Sequence, residues 1–337
     1  MKLEKPLLIF WDITNRCNLD CNFCMWNWDY AKNIREASRL KKEEILNEIK
    51  LIKPLKVVLT GGEPLLTQGI FHYIYDLKKE DIFVELTTNG TLLNDYTVSN
   101  LKDACVDKLQ VSILGSTREL NNRIMGGEAF DLILTGLENL AKHGIRFKTK
   151  TTVTSENIDD IENLAVLLKD IGAESVNFSE FIPMGAAYLK SELTIPTSKL
   201  KYWKERLGQK FDKTVEFSST TLDIKELGHP RKCSLGADNS YLAQILWDGN
   251  VIQCALSTVF PFSNSIFNSG LKKAWENLSQ LKRFNPEIEN KTCSACRYLK
   301  ECNGGCRALA YINFNSIHNP DPRCPEKKQK SRKKVRI

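Results

Sequence analysis

The first two-thirds of the chain alternates two hydrophobic patterns. Short apolar runs at Leu7–Ile13, Lys56–Thr60, Ile82–Thr88, Lys108–Leu114, Arg146–Val153 and Ser175–Phe181 predict strands. Longer stretches with helical spacing lie between them, at Lys41–Lys53, Ile70–Lys79, Asp95–Lys102, Phe130–His143 and Ile158–Ile171. In the last of these Ile158, Ile161, Leu164, Ala165 and Leu168 share one face. Strand and helix in repetition predict a parallel sheet with right-handed crossovers. Six such units predict an α/β fold, a partial (β/α)6 TIM-type barrel rather than a closed eight-unit one.

The grammar then changes. Residues 186–232 read as a bridge with one helix near Ser198–Leu207. From Cys233 onward cysteines, glycines and turns dominate, with a short hairpin around Asp248–Gly249–Asn250. Such a segment builds little apolar core, so metal clusters are expected to crosslink it. The expected organisation is a barrel over 1–185, the bridge over 186–232, a small cysteine-rich domain over 233–325 and a disordered basic tail over 326–337.

Composition narrows the chemistry. The net charge of +7 comes mainly from that tail, EKKQKSRKKVRI, and the remainder is close to neutral. The charge therefore marks no nucleic-acid-binding face. A zinc-ribbon nucleic-acid module is the alternative from another class, and it leaves the motifs of the first half unexplained. The opening MKLEKPLLIFWD is no signal peptide, and no stretch approaches the roughly 18 apolar residues of a membrane span. The protein is expected in the cytoplasm with no membrane partner. There its eleven cysteines serve better as ligands than as disulfides. Cys105 stands apart from the others and is expected to be a structural thiol.

Cys17, Cys21 and Cys24, in CNLDCNFC, follow the first strand directly. Three thiolates on one loop can hold three irons of a 4Fe–4S cube and leave the fourth open. A zinc site would want a fourth ligand, and no His stands nearby to supply it. The C-terminal end of a barrel strand is where active sites of such folds form.

These residues resemble the radical SAM superfamily, whose hallmark is CxxxCxxC at this place. Gly61–Gly62–Glu63–Pro64 matches its GGEP motif, and Thr88–Asn89–Gly90 its TTNG. Ser112, in SILG, matches the serine of SxDG, with Leu114 where the Asp usually stands. Arg123 lies in a stretch loosely similar to H-D-x-x-R-G, and Phe181–Ile182–Pro183–Met184–Gly185 resembles the segment packed on adenine. The resemblance implies S-adenosylmethionine (SAM) and one 4Fe–4S cluster as cofactors. Gly61, Gly62, Glu63, Pro64, Thr88, Asn89, Ser112 and Arg123 would contact SAM, Glu63 through the methionine ammonium. Reductive cleavage of SAM to a 5′-deoxyadenosyl radical, which abstracts hydrogen from a substrate, is the implied activity.

The second group is Cys233, Cys254, then C-x2-C-x5-C-x3-C at Cys293, Cys296, Cys302 and Cys306, then Cys324. With the first half it resembles the SPASM domain of peptide-modifying radical SAM enzymes. By that resemblance Cys293, Cys296, Cys302 and Cys324 hold one auxiliary 4Fe–4S cluster. Cys233, Cys254 and Cys306 hold a second, whose fourth position is open or filled by a non-Cys ligand such as Asp238. The implied substrate is a ribosomally made peptide that receives a thioether, carbon–carbon or related crosslink. The implied partners are a reductase, flavodoxin or ferredoxin as electron donor. The chain begins at strand one, so a separate leader-binding protein or a surface of this chain is expected to hold the leader. Sulfatase maturation is disfavoured, because Ala255 stands where those relatives carry Asp. FWDITNRCNLDC and GGCRALAY also resemble enzymes that trim haem-precursor side chains, the alternative within the same chemistry. Asp12, Glu85, Gln110 and Glu180 are weak candidates for facing substrate from the strands, and the aromatic loop Met25–Tyr30 for covering the site.

Overall fold

The computed structural model describes residues 3–26, 34–183, 190–219, 241–254, 264–279 and 290–324. Cys233, Asp238, Met184, Gly185, Ala255, the basic tail and most of the Met25–Tyr30 loop lie outside them. The chain divides into two compact units, one of 7–219 with 245–249, the other of the remaining residues.

The first unit carries seven parallel strands: β1 (Leu8–Thr14), β2 (Lys56–Gly61), β3 (Phe83–Thr88), β4 (Lys108–Ser112), β5 (Phe147–Val153), β6 (Ser175–Glu180) and β7 (Val215–Ser218). Each pairs with the next, giving the order β7-β6-β5-β4-β3-β2-β1. The helices between them are α1 (Arg39–Ile52), α2 (Ile70–Lys78), α3 (Asp95–Asp103), α4 (Arg118–Met125), α5 (Phe130–His143), α6 (Ile161–Ile171) and α7 (Thr197–Lys210). This is the α/β arrangement of a partial barrel, with the six expected strands in the expected order.

Three differences have physical causes. α7 and β7 continue the strand–helix alternation into the stretch read as a bridge. Leu200, Trp203 and Leu207 form a buried face on α7, and Val215 is buried on β7. β4 stops at Ser112 rather than Leu114, because side chains take over there: Leu114 N–H donates to Asn121 Oδ1 (2.9 Å) and its carbonyl accepts from Asn157 Nδ2 (2.9 Å). Cys105 is exposed, not a buried structural thiol, because it sits in a left-handed turn (φ 61°) just past α3.

Burial alternates along the strands. Val84 and Leu86, Leu109 and Val111, and Val176 and Phe178 are fully buried on the helix-covered face. A parallel strand covered on both sides would be apolar throughout. Here the opposite face carries Glu85, Gln110, Ser112, Lys148, Lys150 and Asn177, so it is a polar lumen.

β8 (Leu242–Ile245) and β9 (Val251–Ile252) are adjacent, joined by the expected turn, with Gly249 at φ 85°. A helix, α8 (Ile266–Ser279), broken at Gly270, follows. Then come α9 (Lys291–Ser294), α10 (Leu299–Cys302) and α11 (Arg307–Phe314). Among the described residues no helix is long and apolar enough to cross a membrane.

Candidate active site

The cysteine loop leaves β1 through a register shift between Asp12 and Thr14. Its first residues are clamped from two sides. From below, Gly62 N–H donates to the Thr14 carbonyl and Glu63 N–H to the Arg16 carbonyl, both at 2.7 Å. A β-carbon on Gly62 would fall onto the Arg16 backbone, and one on Gly61 onto that of Thr14. The two glycines therefore serve a close approach between chain segments.

From the other side Glu36 gathers the loop. Its Oε2 accepts from Thr14 Oγ1 (2.6 Å), and its Oε1 from the buried Lys42 (2.5 Å). Arg16 Nε stands 3.7 Å away. Burial works against its charge, but the hydrogen bonds from Lys42 and Thr14 hold its carboxyl below the usual range. Glu36 is missing from the sequence-derived candidates, because one acidic residue in a coil carries no spacing signal.

Glu63 is wholly buried. Its Oε1 accepts from Thr88 Oγ1 (2.8 Å) and Leu65 N–H (3.1 Å), its Oε2 from Asn89 N–H (2.7 Å). Burial pushes its carboxyl up to about 7 against these three donors. A carboxylate has about four lone-pair positions, and three of them are taken here by the chain's own donors. Pro64 opens the short helical turn that follows. Asn89 Nδ2 donates to Asn18 Oδ1 (2.8 Å) and faces Cys17 Sγ at 3.8 Å. Its Oδ1 accepts from Thr91 Oγ1 (2.7 Å), which in turn accepts from Asn18 Nδ2 (2.9 Å). This closed ring ties the end of β3 to the cysteine loop.

The far end of the loop rests on α4. Asn22 N–H donates to the Ile124 carbonyl (3.4 Å), and a β-carbon on Gly126 would lie 2.6 Å from the Asp20 carbonyl oxygen. Arg123 stands 3.8 Å from Glu156, which accepts from Asn22 Nδ2 (3.4 Å). Trp26 packs edge-on to Trp247, with centroids 5.2 Å apart.

The three thiols of this loop sense one another. Burial, then the neighbouring Cys24 and Cys17, push Cys21 up to about 12; burial raises Cys17 as well. Three thiolates held this way need a positive charge among them, which a metal supplies. Among the described residues no three His, Cys, Asp or Glu are gathered as closely as one ion requires. A 4Fe–4S cube binds each thiolate on a different iron and takes a wider spacing, so the donor set fits it.

The other candidates lie on the strands. Glu85 is buried and bound by Lys56 (2.7 Å) and Lys148 (3.0 Å). Asp12 is buried on β1, and Glu180 accepts from Ser219 Oγ (2.7 Å). Gln110 and Ser112 face the lumen. So does Lys150, where desolvation, then Lys148, pull the ammonium below the usual lysine range, with Glu85 opposing.

In the second unit Cys293 and Cys302 are buried; Cys254, Cys296, Cys306 and Cys324 are partly exposed. Burial pushes Cys293 up to about 11, with Cys324, Cys302 and Cys296 adding to it and Arg307 opposing. Those four thiols form one electrostatic group. Cys306 is turned to another task, its Sγ accepting from Leu309 N–H (3.5 Å) at the start of α11. Arg307, fully buried, donates to the carbonyls of Gly304, Gly305, Ile317 and Asn319. Asp321, also fully buried, accepts from Cys306 N–H (2.9 Å) and from Arg323 (2.8 Å). Neither was singled out from sequence; the signal was their place beside Cys306 and Cys324.

Residues 11–168 match the radical SAM superfamily. The chain is 24% identical over 334 residues to the mycofactocin maturase MftC of Mycolicibacterium smegmatis, covering 96% of this chain and 84% of that one. It is 27% identical over 343 residues to the AdoMet-dependent heme synthase of Methanosarcina barkeri, covering 95% and 96%. Streptococcus suis SuiB bound to its precursor peptide SuiA shares the fold, with a TM-score of 0.78 and 20% identity over 96% of this chain and 77% of that one. Residues 11–168, with their cysteine loop and parallel sheet, form a radical SAM domain, the domain of a family that implies SAM and a 4Fe–4S cluster.

Proposed function

We propose that this enzyme modifies a ribosomally made peptide, introducing a thioether, carbon–carbon or related crosslink. One observation carries the reading: a cysteine loop clamped at the end of β1 stands in the same chain as a second, mutually coupled thiol group at Cys293, Cys296, Cys302 and Cys324. The matched MftC is named a maturase, and the matched SuiB structure holds a precursor peptide, which supports the same substrate class here.

Cys17, Cys21 and Cys24 would hold the SAM-cleaving cluster. Gly61, Gly62, Glu63, Pro64, Thr88, Asn89, Ser112 and Arg123 would bound the SAM site. Cys293, Cys296, Cys302 and Cys324 would hold one auxiliary 4Fe–4S cluster, and Cys233, Cys254 and Cys306 a second. When bound, the first cluster and SAM supply the 5′-deoxyadenosyl radical that takes hydrogen from the substrate. The chain's own work is to position both and exclude water. The electron donor would be a cytoplasmic reductase, flavodoxin or ferredoxin, and a surface of this chain or a separate protein would hold the leader. A second reading, modification of a haem-precursor side chain, is favoured by the near-equal length and 27% identity shared with the heme synthase.

The test is iron and sulfide per chain after anaerobic reconstitution, with and without Cys17, Cys21 and Cys24 changed to Ala. About twelve irons falling to about eight, with SAM cleavage lost, is the expected outcome. Zinc near two per chain and no SAM cleavage would overturn it. Mass spectrometry of candidate peptides against haem precursors then separates the two substrates.

A further inference from the structure

The lumen face of β4 and β5 carries groups that the cluster loop does not use. Lys150 pairs in register with Ser112 on one side and Asn177 on the other; Gln110 pairs with Lys148, one step toward the strand starts. The lower lysines are compensated. Lys56 and Lys148 both end on Glu85, at 2.7 and 3.0 Å, and Lys108 ends on Glu174. Glu85 thus already serves two ammonium groups. Among the described residues the side chains of Lys150, Gln110 and Ser112 have no hydrogen bond or ion pair. Asn177 has turned its amide away, to the Thr149 carbonyl (3.3 Å) and Ser175 Oγ (3.2 Å).

Lys150 is the one exposed position of its strand and opens into the lumen beside the like charge of Lys148, and an ammonium crowded by a like charge favours an arriving anion. One free ammonium matches a single negative charge. The neighbouring Gln110 carboxamide adds a neutral donor for a second oxygen. Those features select a carboxylate over a phosphate, which would call for more cations.

We infer that Lys150, with Gln110 beside it, binds a carboxylate of the substrate inside the barrel. The inference rests on the proposed function only in taking the lumen as the substrate chamber. It makes Lys150 a specificity-determining residue for an acidic side chain or a free carboxyl terminus.

The test uses the reconstituted, SAM-loaded enzyme and needs no peptide. Lysines are reductively methylated with formaldehyde and cyanoborohydride, and each site is read by mass spectrometry. The probes are acetate and acetamide at matched ionic strength. Acetate should slow labelling of Lys150, by about twofold at half occupancy, and acetamide should not. Gln110→Ala should weaken that protection. Equal effects of the two probes, or none, would overturn the inference. SAM affinity of Lys150→Met is measured in parallel. A loss of about tenfold or more would assign the carboxylate to SAM itself and equally overturn the substrate assignment. Failure of the iron count would instead strike the proposed function, so the two failures are distinguishable.

Discussion

Glu63 shows how one residue of a motif serves the fold. Its carboxyl titrates near 4.5 when unfolded and at about 7 when buried between β2 and β3. Between those values the folded chain keeps a proton that the unfolded chain has lost. The stability from this group is complete below about 4.5 and is lost as pH rises through about 7. The difference is on the order of 3 kcal/mol. Unfolding by urea under anaerobic conditions should show stability falling across this window, and Glu63→Gln should flatten the slope. A slope unchanged in the variant would mean that other groups set it. The cysteines and the GGEP stretch were legible because spacing alone encodes them. Glu36 and Lys150 were not, since each is a single polar residue set beside a strand residue far along the chain, Thr14 for Glu36 and Ser112 for Lys150. A faint signal for Lys150 was present: the alternation in KTKTT places two lysines on one side of a strand.

At the level of elements, the turns after β4 and β5 are organised by buried Asn157. Its Nδ2 donates to the carbonyls of Leu114 (2.9 Å) and Thr152 (3.1 Å), and its Oδ1 accepts from Thr154 N–H (2.8 Å). Asn157→Ala would orphan all three backbone groups, at a cost of about 2–4 kcal/mol, measurable as a lowered midpoint in the same urea experiment. The same side chain explains why α6 begins at Ile161 and not at Ile158: the chain first makes a turn around Asn157. Strand order and six strands were readable because hydrophobic period is a local property. α4 was not, because RELNNRIM carries few apolar positions and earns its place by packing Ile124 and Met125 inward. β7 was hidden by its length of four residues.

For the molecule as a whole, the two units differ in what holds them. The first buries a continuous apolar layer along seven strands. In the second, residues 290–324 form short helices among cysteines, with fully buried Arg307 and Asp321 beside a few buried apolar side chains such as Leu309 and Ile312. Stripping iron with a chelator should therefore raise amide exchange over residues 293–324 and leave β2 to β6 protected. Equal deprotection of both would mean that the clusters add little local stability. The ring of Asn18, Asn89 and Thr91, together with the grip of Gly62 and Glu63 on residues 14–16, has a consequence for biogenesis. Every group that shapes this grip lies within the first 91 residues. During synthesis the floor and wall around Cys17 are complete in covalent terms once residue 91 has left the ribosome, while the far end of the loop still waits for α4. A cysteine loop offered to iron earlier would meet it without its floor or its wall, so the timing of metal delivery is written into the order of the strands.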